Sequence, residues 1–530
     1  MRGVVGYLLA FAVSTGVCPL LTHALPRRIR GQEDSRLPSN VRTVRRGLDE
    51  GTSVGASGVS SGVTPTVVCS GSAPDITLKS DGRIYVERLD GSRGGCVTLT
   101  DIYQSLLAAD GTNTGPLYIL DADNNVLNGP GQQVTGRWIL RSDLYVQSGV
   151  TLLVWGTDWG GDADVLRLDS NPSDYYNLRG YGGSLSFFHT KVTSWDLDAG
   201  APRVYLGKGR SYISCVSEKL SDETCAQRAK KERGECRMDV ISSEIAYLGY
   251  SSSESYGLTW KVRGLCNDLR NLNLFDEVNV YGDIIDSDIH HNYFGMYSYG
   301  HEGGVWTNNL MHDNLEYGFD PHDDSDNLVI AYNTVYGNGN HGIIASKRCN
   351  NVSIHHNEVY NGQEVGIFLH RSSDQGKVYS NYVHDNMDAG MALHESFDAD
   401  IYDNTFVGNA MGVRISVGGG RNAIHNNVLD SCTGWGFVTY RGSDSPWVSD
   451  GYPSENLFYD NTMRNTAIAT RFKDSTGNEL FDNVFENVEM FRFDDAANTL
   501  FKGNVFPGDS CLNADSSTFT AGSQLPDDCY

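Results

Sequence analysis

Leu328-Val329-Ile330-Ala331-Tyr332-Asn333-Thr334-Val335-Tyr336-Gly337 sets two short β-branched runs on either side of an asparagine, and the chain returns to that pattern many times. Aligned on the asparagine, the units begin at Asn309, Asn333, Asn357, Asn381, Asn404, Asn427, Asn461, Asn483 and Asn504, with steps of 24, 24, 24, 23, 23, 34, 22 and 21 residues. Self-similarity at a near-fixed period predicts a solenoid. The intervening runs, such as Ile401-Tyr402 and Phe481-Asp482, are short, alternating and interrupted by Gly and Asn too often for helices of ordinary length. The predicted fold is therefore all-β, a parallel β-helix. The asparagines read as scaffold: they tolerate the left-handed conformation at a turn and can hydrogen-bond the next rung.

In such a coil each turn stacks on the next at about 4.8 Å, so residues with one offset from the asparagine form a column. Nine positions on stand Gly318, Gly342, Gly366 and Gly390, a corner that needs a positive φ or a close backbone approach. Beyond it the pleat alternates. Phe319 and Pro321, Ile343 and Ala345, Ile367 and Leu369, and Met391 and Leu393 take the core parity. Asp320 and His322, Ile344 and Ser346, Phe368 and His370, and Ala392 and His394 take the outward one. Three histidines in four rungs, with Lys347 and Arg371 beside them, form a ridge roughly 15 Å long on which a polymer can lie. His370 and His394 read equally well as imidazoles on a solvated sheet face.

At one end of that ridge, Tyr317-Gly318-Phe319-Asp320-Pro321-His322-Asp323-Asp324-Ser325 packs a phenol, three carboxylates and an imidazole into one rung. An Asx-rich turn accounts for Asp323-Asp324-Ser325-Asp326 but not for His322 with acidic neighbours and a tyrosine one corner earlier. The stretch reads as a proton-transfer site.

The first 24 residues run from Met1-Arg2 through an apolar stretch, Val4 to Leu21, to Thr22-His23-Ala24, the pattern of a signal peptide. No later run reaches the roughly 20 apolar residues of a membrane span, so a secreted protein, extracellular or in a cell wall, is expected. Beyond Cys18 remain ten cysteines (Cys69, Cys96, Cys215, Cys225, Cys236, Cys266, Cys349, Cys432, Cys511 and Cys529), an even count suited to disulfides. No C-x-x-C pair suggests zinc. The net charge of −25 argues against nucleic acid or an anionic membrane as partner. A polyanionic substrate then depends on a local cationic patch such as Lys347, Arg348 and Arg371. Residues 25–64, with Arg27, Arg28, Arg30 and a Gly/Ser/Thr/Val tract from Gly51, read as a flexible linker or processed segment. One solenoid domain is expected over 65–510, with an N-terminal cap and a charged, helix-favouring insertion near 208–236 stapled by Cys215 and Cys236. Residues 511–530 are expected to close the last rung.

The run from Tyr317 to Ser325, followed by Asn333-Thr334-Val335-Tyr336-Gly337 and His341-Gly342-Ile343-Ile344-Ala345-Ser346-Lys347, resembles the mannuronan C5-epimerases of the periplasmic bacterial type, which convert β-D-mannuronate to α-L-guluronate within alginate. Leu178-Arg179-Gly180-Tyr181-Gly182-Gly183-Ser184-Leu185, Ala246-Tyr247-Leu248-Gly249-Tyr250, Tyr256-Gly257-Leu258-Thr259-Trp260-Lys261-Val262 and Tyr299-Gly300-His301 resemble the same family, so the likeness covers roughly Gly136 to Ser396. It implies a right-handed parallel β-helix. It also implies His322 as catalytic base, Tyr317 and Asp320 as its motif partners, and Lys347 at the position of the basic residue that neutralises the substrate carboxylate, with Arg348 next to it. His341, His370, Arg371, His394 and His301 are expected along the substrate. The family's secreted calcium-dependent branch carries an aspartate near the position held here by Ser346; no metal or other cofactor is required, and calcium stays open.

Such chemistry needs this mixture of groups. Removing the C5 proton of a uronate places charge next to a carboxylate that is already anionic, so a cation must stabilise the enediolate-like intermediate. A base on one face takes the proton and an acid on the other, Tyr317 or water, returns it. Asp320 is read as orienter of the imidazole or partner of a protonated carboxylate. A polyuronate lyase shares the intermediate and differs in expelling the O4 substituent. A glycoside hydrolase would use two carboxylates about 5–10 Å apart, among Asp320, Asp323 and Asp324, and a non-catalytic wall-polysaccharide-binding protein would use the ridge for binding alone.

Overall fold

The computed structural model describes residues 63–507 and 513–516, apart from 68, 91, 93, 111–115, 128–130, 148, 206, 221–233, 266–274 and 276–277. The expected signal peptide and nearly all of the linker lie outside the described residues, as does most of the closing segment. Each repeat contributes three short strands, for example Phe319–His322, Val329–Ala331 and Thr334–Tyr336, and the equivalents in successive repeats pair in parallel. The result is a right-handed parallel β-helix with long sheets of 16, 14 and 16 strands.

Alternation fills the interior. Phe319, Ile343, Ala345, Ile367, Leu369, Met391 and Leu393 are fully buried, as their parity predicts, and Phe319 stacks on Trp306 at 5.9 Å. Asparagines run through the wall as a ladder. Asn309 Nδ2 donates to Asn333 Oδ1 at 2.9 Å, Asn333 to Asn357 at 2.9 Å and Asn357 to Asn381 at 3.0 Å, and each also satisfies the backbone of its neighbours. The scaffold role holds with one change: the left-handed residue is the one before the ladder asparagine, at Asn308, Tyr332 and His356. The glycine corner is one of close approach, not of positive φ. A Cβ on Gly318 would meet Gly342 O at 2.5 Å, and one on Gly366 would meet Gly390 O at 2.9 Å.

The N-terminal end is capped by a helix that the all-β reading did not anticipate, Leu99–Asp110, which buries Leu99, Ile102, Tyr103 and Leu106 against the first rungs. At the other end Phe485, Phe491, Phe501 and Phe506 pack against one another. Disulfides join Cys69 to Cys96 and Cys215 to Cys236. The even-count expectation fails at Cys349 and Cys432, which are free thiols buried in the core, where they serve as small apolar side chains. Cys215 itself lies on a strand of the 16-stranded sheet, Ile213–Leu220, so the stapled insertion begins later than position 208; its centre, 221–233, is outside the described residues. No helix among the described residues is long and apolar enough to cross a membrane.

Candidate active site

The sheet built from Phe294–Tyr299, Phe319–His322, Ile343–Ser346, Ile367–His370 and Ala389–His394 carries the site on its outer face. Parallel pairing fixes the columns: Tyr299, His322, Ser346, His370 and His394 are successive partners, so the predicted ridge exists. Beside it runs a second column, Thr259, Tyr297 and Asp320 on one side and Ile344, Phe368 and Ala392 on the other. Ile344, Phe368 and Ala392 join Val365 and Ala389 in an apolar cluster on the outside of the coil, with Tyr317 and Met411 packed against it. The groove therefore has an apolar floor ending at a carboxylate.

That carboxylate is Asp320. It is 2 % exposed, its Oδ1 has no hydrogen-bond partner among the described residues, and burial pushes its pKa up to about 6 against the opposing pull of His322 and Lys347. His322, 18 % exposed, places Nδ1 2.6 Å from Asp323 Oδ2; the contact is electrostatic rather than an aligned hydrogen bond. The acid that holds the imidazole is thus Asp323, one residue on, and not Asp320. The Tyr297 ring lies 5.5 Å from that of His322, and burial together with Asp320 and Asp323 drives its phenol well above the ordinary tyrosine pKa. Tyr317 packs between Phe294 at 4.9 Å and His341 at 5.5 Å, and its pKa is also raised, by burial first and by Asp320 next.

The strand ends turn through consecutive left-handed residues: Asp323 and Asp324, Lys347 and Arg348, and Arg371 and Ser372 all have φ between 33° and 65°. The pairs stack because each backbone N–H donates to the next rung, as from Asp323 to Ser346 O and from Asp324 to Lys347 O. This brings two acids and three bases onto one flank of the ridge. Arg348 bridges Asp323 at 2.6 Å and Asp324 at 2.8 Å. Lys347 makes no ion pair within 4 Å among the described residues, while its charge acts on Asp320 and Asp323 through space. Arg371 pairs with Asp444 at 3.2 Å and Glu395 at 3.5 Å and stacks on Trp447. Asp444 and Trp447 belong to the extra chain of the 34-residue step, which the wholly buried Glu395 pins by accepting from the backbone N–H groups of Trp447, Val448 and Ser449.

The remaining predicted positions divide. His341 lines the groove, accepts a bond from Val365 N at 3.2 Å and is kept neutral, its pKa lowered to about 3 by burial. His370 accepts from or donates to Ser346 Oγ at 3.0 Å, and burial lowers its pKa to about 2 and that of His394 to about 4. His301 does not belong to the groove. It is 0 % exposed, inside the coil between Trp260 and Trp306, with Nε2 3.0 Å from Gly282 O; the parity of its rung, one before the counted series, was not fixed by the asparagine spacing. Tyr297 and Lys261 are neighbours that the sequence reading left without a role, and Asp323, read there only as a hydrolase carboxylate, is the acid beside the imidazole. Among the described residues no three His, Cys, Asp or Glu side chains converge as metal ligands.

Known proteins resemble this chain in part of its sequence and in its fold. Residues 272–406 match the model of a right-handed β-helix region, and 349–510 match one described as periplasmic copper-binding protein (NosD). Mannuronan C5-epimerase AlgG of Azotobacter vinelandii is 29% identical over 213 residues, 40% of this chain and 35% of that protein. Mannuronan C5-epimerase of Pseudomonas fluorescens is 32% identical over 167 residues, 31% of this chain and 28% of that one. The chain thus matches about a third of the length of these relatives. The crystal structure of the periplasmic alginate epimerase AlgG superposes with a TM-score of 0.57 at 19% identity, over 80% of this chain and 85% of that one, which establishes the shared fold.

Proposed function

From its kinship with the mannuronan C5-epimerases, we propose that this protein is one of them, acting on mannuronate residues already polymerised in an alginate chain. The observation that carries the reading is Asp320, a buried carboxylate with an unsatisfied oxygen at the end of the apolar strip of Ile344, Phe368 and Ala392, beside His322 and Lys347. A scaffold has no use for such a group, whereas perturbed carboxylates beside a base mark proton-transfer sites.

In this reading the polymer lies along the ridge. Lys347, the cation of the strand-end cluster left without a counter-ion, faces the substrate carboxylate, and Arg348 holds Asp323 and Asp324 in place. Asp323 fixes the His322 imidazole, which removes the C5 proton. Asp320, with a pKa near 6, stands protonated below that pH and shares a hydrogen bond with the uronate carboxylate, spreading the charge of the enediolate. Tyr317, two residues before the strand of His322, packs against the apolar floor; its raised pKa keeps the phenol protonated and able to return a proton to the opposite face. No cofactor enters these steps. The signal-like segment 1–24 would export the protein, and the periplasmic neighbour fits an extracytoplasmic location; secretion or wall association completes the proposal.

The test is incubation with polymannuronate in deuterated water. Guluronate signals with deuterium at C5, without unsaturated ends or new reducing ends, are expected from the wild type, and His322→Gln should lower the rate by 10²–10⁴-fold with its melting curve intact. Unsaturated ends would make the protein a lyase, new reducing ends a hydrolase, and binding without exchange a lectin-like protein.

A further inference from the structure

The column that holds Asp320 continues well beyond the site. Asp320 pairs with Tyr297, Tyr297 with Thr259, Thr259 with Ser214 and Ser214 with Arg179, so Arg179 occupies the same outward position four rungs away, roughly 20 Å along the face. There the outer surface opens into a cavity of about 280 Å³ lined by Asp143, Asp174, Tyr175, Asn177, Arg179 and Tyr212 among others, near the lower limit of ligand pockets and large enough for one sugar unit. The Arg179 guanidinium lies 4.8 Å from the Tyr212 ring and 5.7 Å from that of Tyr145.

Its charge, like those of Lys347 and Arg471 on the same face, has no ion pair among the described residues, and it lies in the cavity. On this face Arg348, Arg371 and Arg414 are each held by carboxylates, and Lys261 is 3.2 Å from Glu254. Arg179 has no ion pair within 4 Å among the described residues, and its Nε is buried without a hydrogen bond. The nearby Asp143 is already engaged, its Oδ1 accepting from the N and Nδ2 of Asn177. Asp143 and Asp174 line the cavity without pairing with Arg179, so the guanidinium beside the aromatic rings keeps its donors for a ligand, and planar recognition of a carboxylate is what a guanidinium does well.

We propose that this cavity is a distal subsite that grips one uronate of the polymer through Arg179, with Tyr175 and Tyr212 in its wall, four rungs from His322. The inference rests on the epimerase reading and adds to it a reason for length dependence: only an oligomer long enough to span both positions collects the second contact.

Oligomannuronates of increasing length, assayed for deuterium uptake at C5, test it. For the wild type kcat/KM should rise about tenfold, equivalent to 1.4 kcal/mol, once the oligomer reaches from His322 to Arg179. Arg179→Gln should flatten that rise through KM, and Arg179→Lys should restore part of it. A rise of wild-type size in Arg179→Gln, or an equal fall in kcat at every length, overturns the subsite. Calorimetric binding of a long oligomannuronate to His322→Gln, with and without Arg179→Gln, reads the subsite separately from turnover: if the wild type exchanges no C5 proton, the epimerase reading fails, while a tenfold loss of binding still upholds the grip and an unchanged affinity removes it.

Discussion

A carboxyl buried without a hydrogen bond gives up its charge before it gives up its place, and Asp320 does so with a pKa near 6. Around it the strand-end residues sort themselves by pairing. Arg348 is committed to two aspartates, whereas Lys347 has only distant partners. The two neighbours should therefore respond differently to removal. Lys347→Ala is expected to lower kcat by about 10²–10³-fold, the scale of losing one preorganised charge at a developing anion, with little change in melting temperature. Arg348→Ala strands Asp323 and Asp324 and should cost about 1–3 kcal/mol of stability, read from urea unfolding, with activity loss following the freed His322. Equal kcat losses without destabilisation in both would show that the substrate meets Arg348 as well. The sequence marked this pair but could not divide its roles, because adjacency along the chain says nothing about which acids lie one rung away.

Regularity is what made the elements readable. A column is an arithmetic statement about offsets, so His322, Ser346, His370 and His394 could be placed together from spacing alone, and the pairing register agrees. Where the period breaks, the reading broke too: His301 and Tyr297 precede the first counted asparagine, and the helix Leu99–Asp110 lies where no repeat exists. The 34-residue step was visible as a number, yet its path back to Arg371 depends on Glu395, a contact between rungs that no offset encodes. The asparagine ladder makes its own prediction. Asn357 donates to Ile330 O and Asn381 Oδ1 and accepts from the N and Nδ2 of Asn333. Asn357→Ala removes all four bonds and leaves buried partners unpaired, so about 2–4 kcal/mol should be lost, on the order of one to two unsatisfied groups, while activity measured well below the melting temperature persists. A variant as stable as the wild type would mean that water enters the wall and replaces the amide.

At the scale of the whole coil, the walls and interior hold several imidazoles in a neutral state. Burial lowers the pKa of His301 and His341 to about 3, of His370 to about 2, and of His355 and His394 to about 4. Each binds a proton readily only in the unfolded chain, where the value is near 6.5. Between the two values the unfolded state holds more protons, so stability rises with pH there and is lost as pH falls below about 6.5. Asp320 and Asp326 act in the opposite sense, with folded values near 6 and 7: their contribution is present at low pH and declines as pH rises from the unfolded carboxyl range. Near pH 5 these five imidazoles outnumber these two carboxyls, so their balance favours proton uptake on unfolding, each proton being worth about 1.4 kcal/mol per pH unit. The excess of carboxylates in a chain of charge −25 repels itself less as acid neutralises it, which blunts the effect at low salt; 0.5 M salt, with a Debye length of about 4 Å, suppresses that term. Urea midpoints measured in that salt should accordingly fall steadily from pH 7 to pH 5, and His301→Asn should make the decline shallower. A midpoint independent of pH over that range would mean that these imidazoles open to water before the coil unfolds.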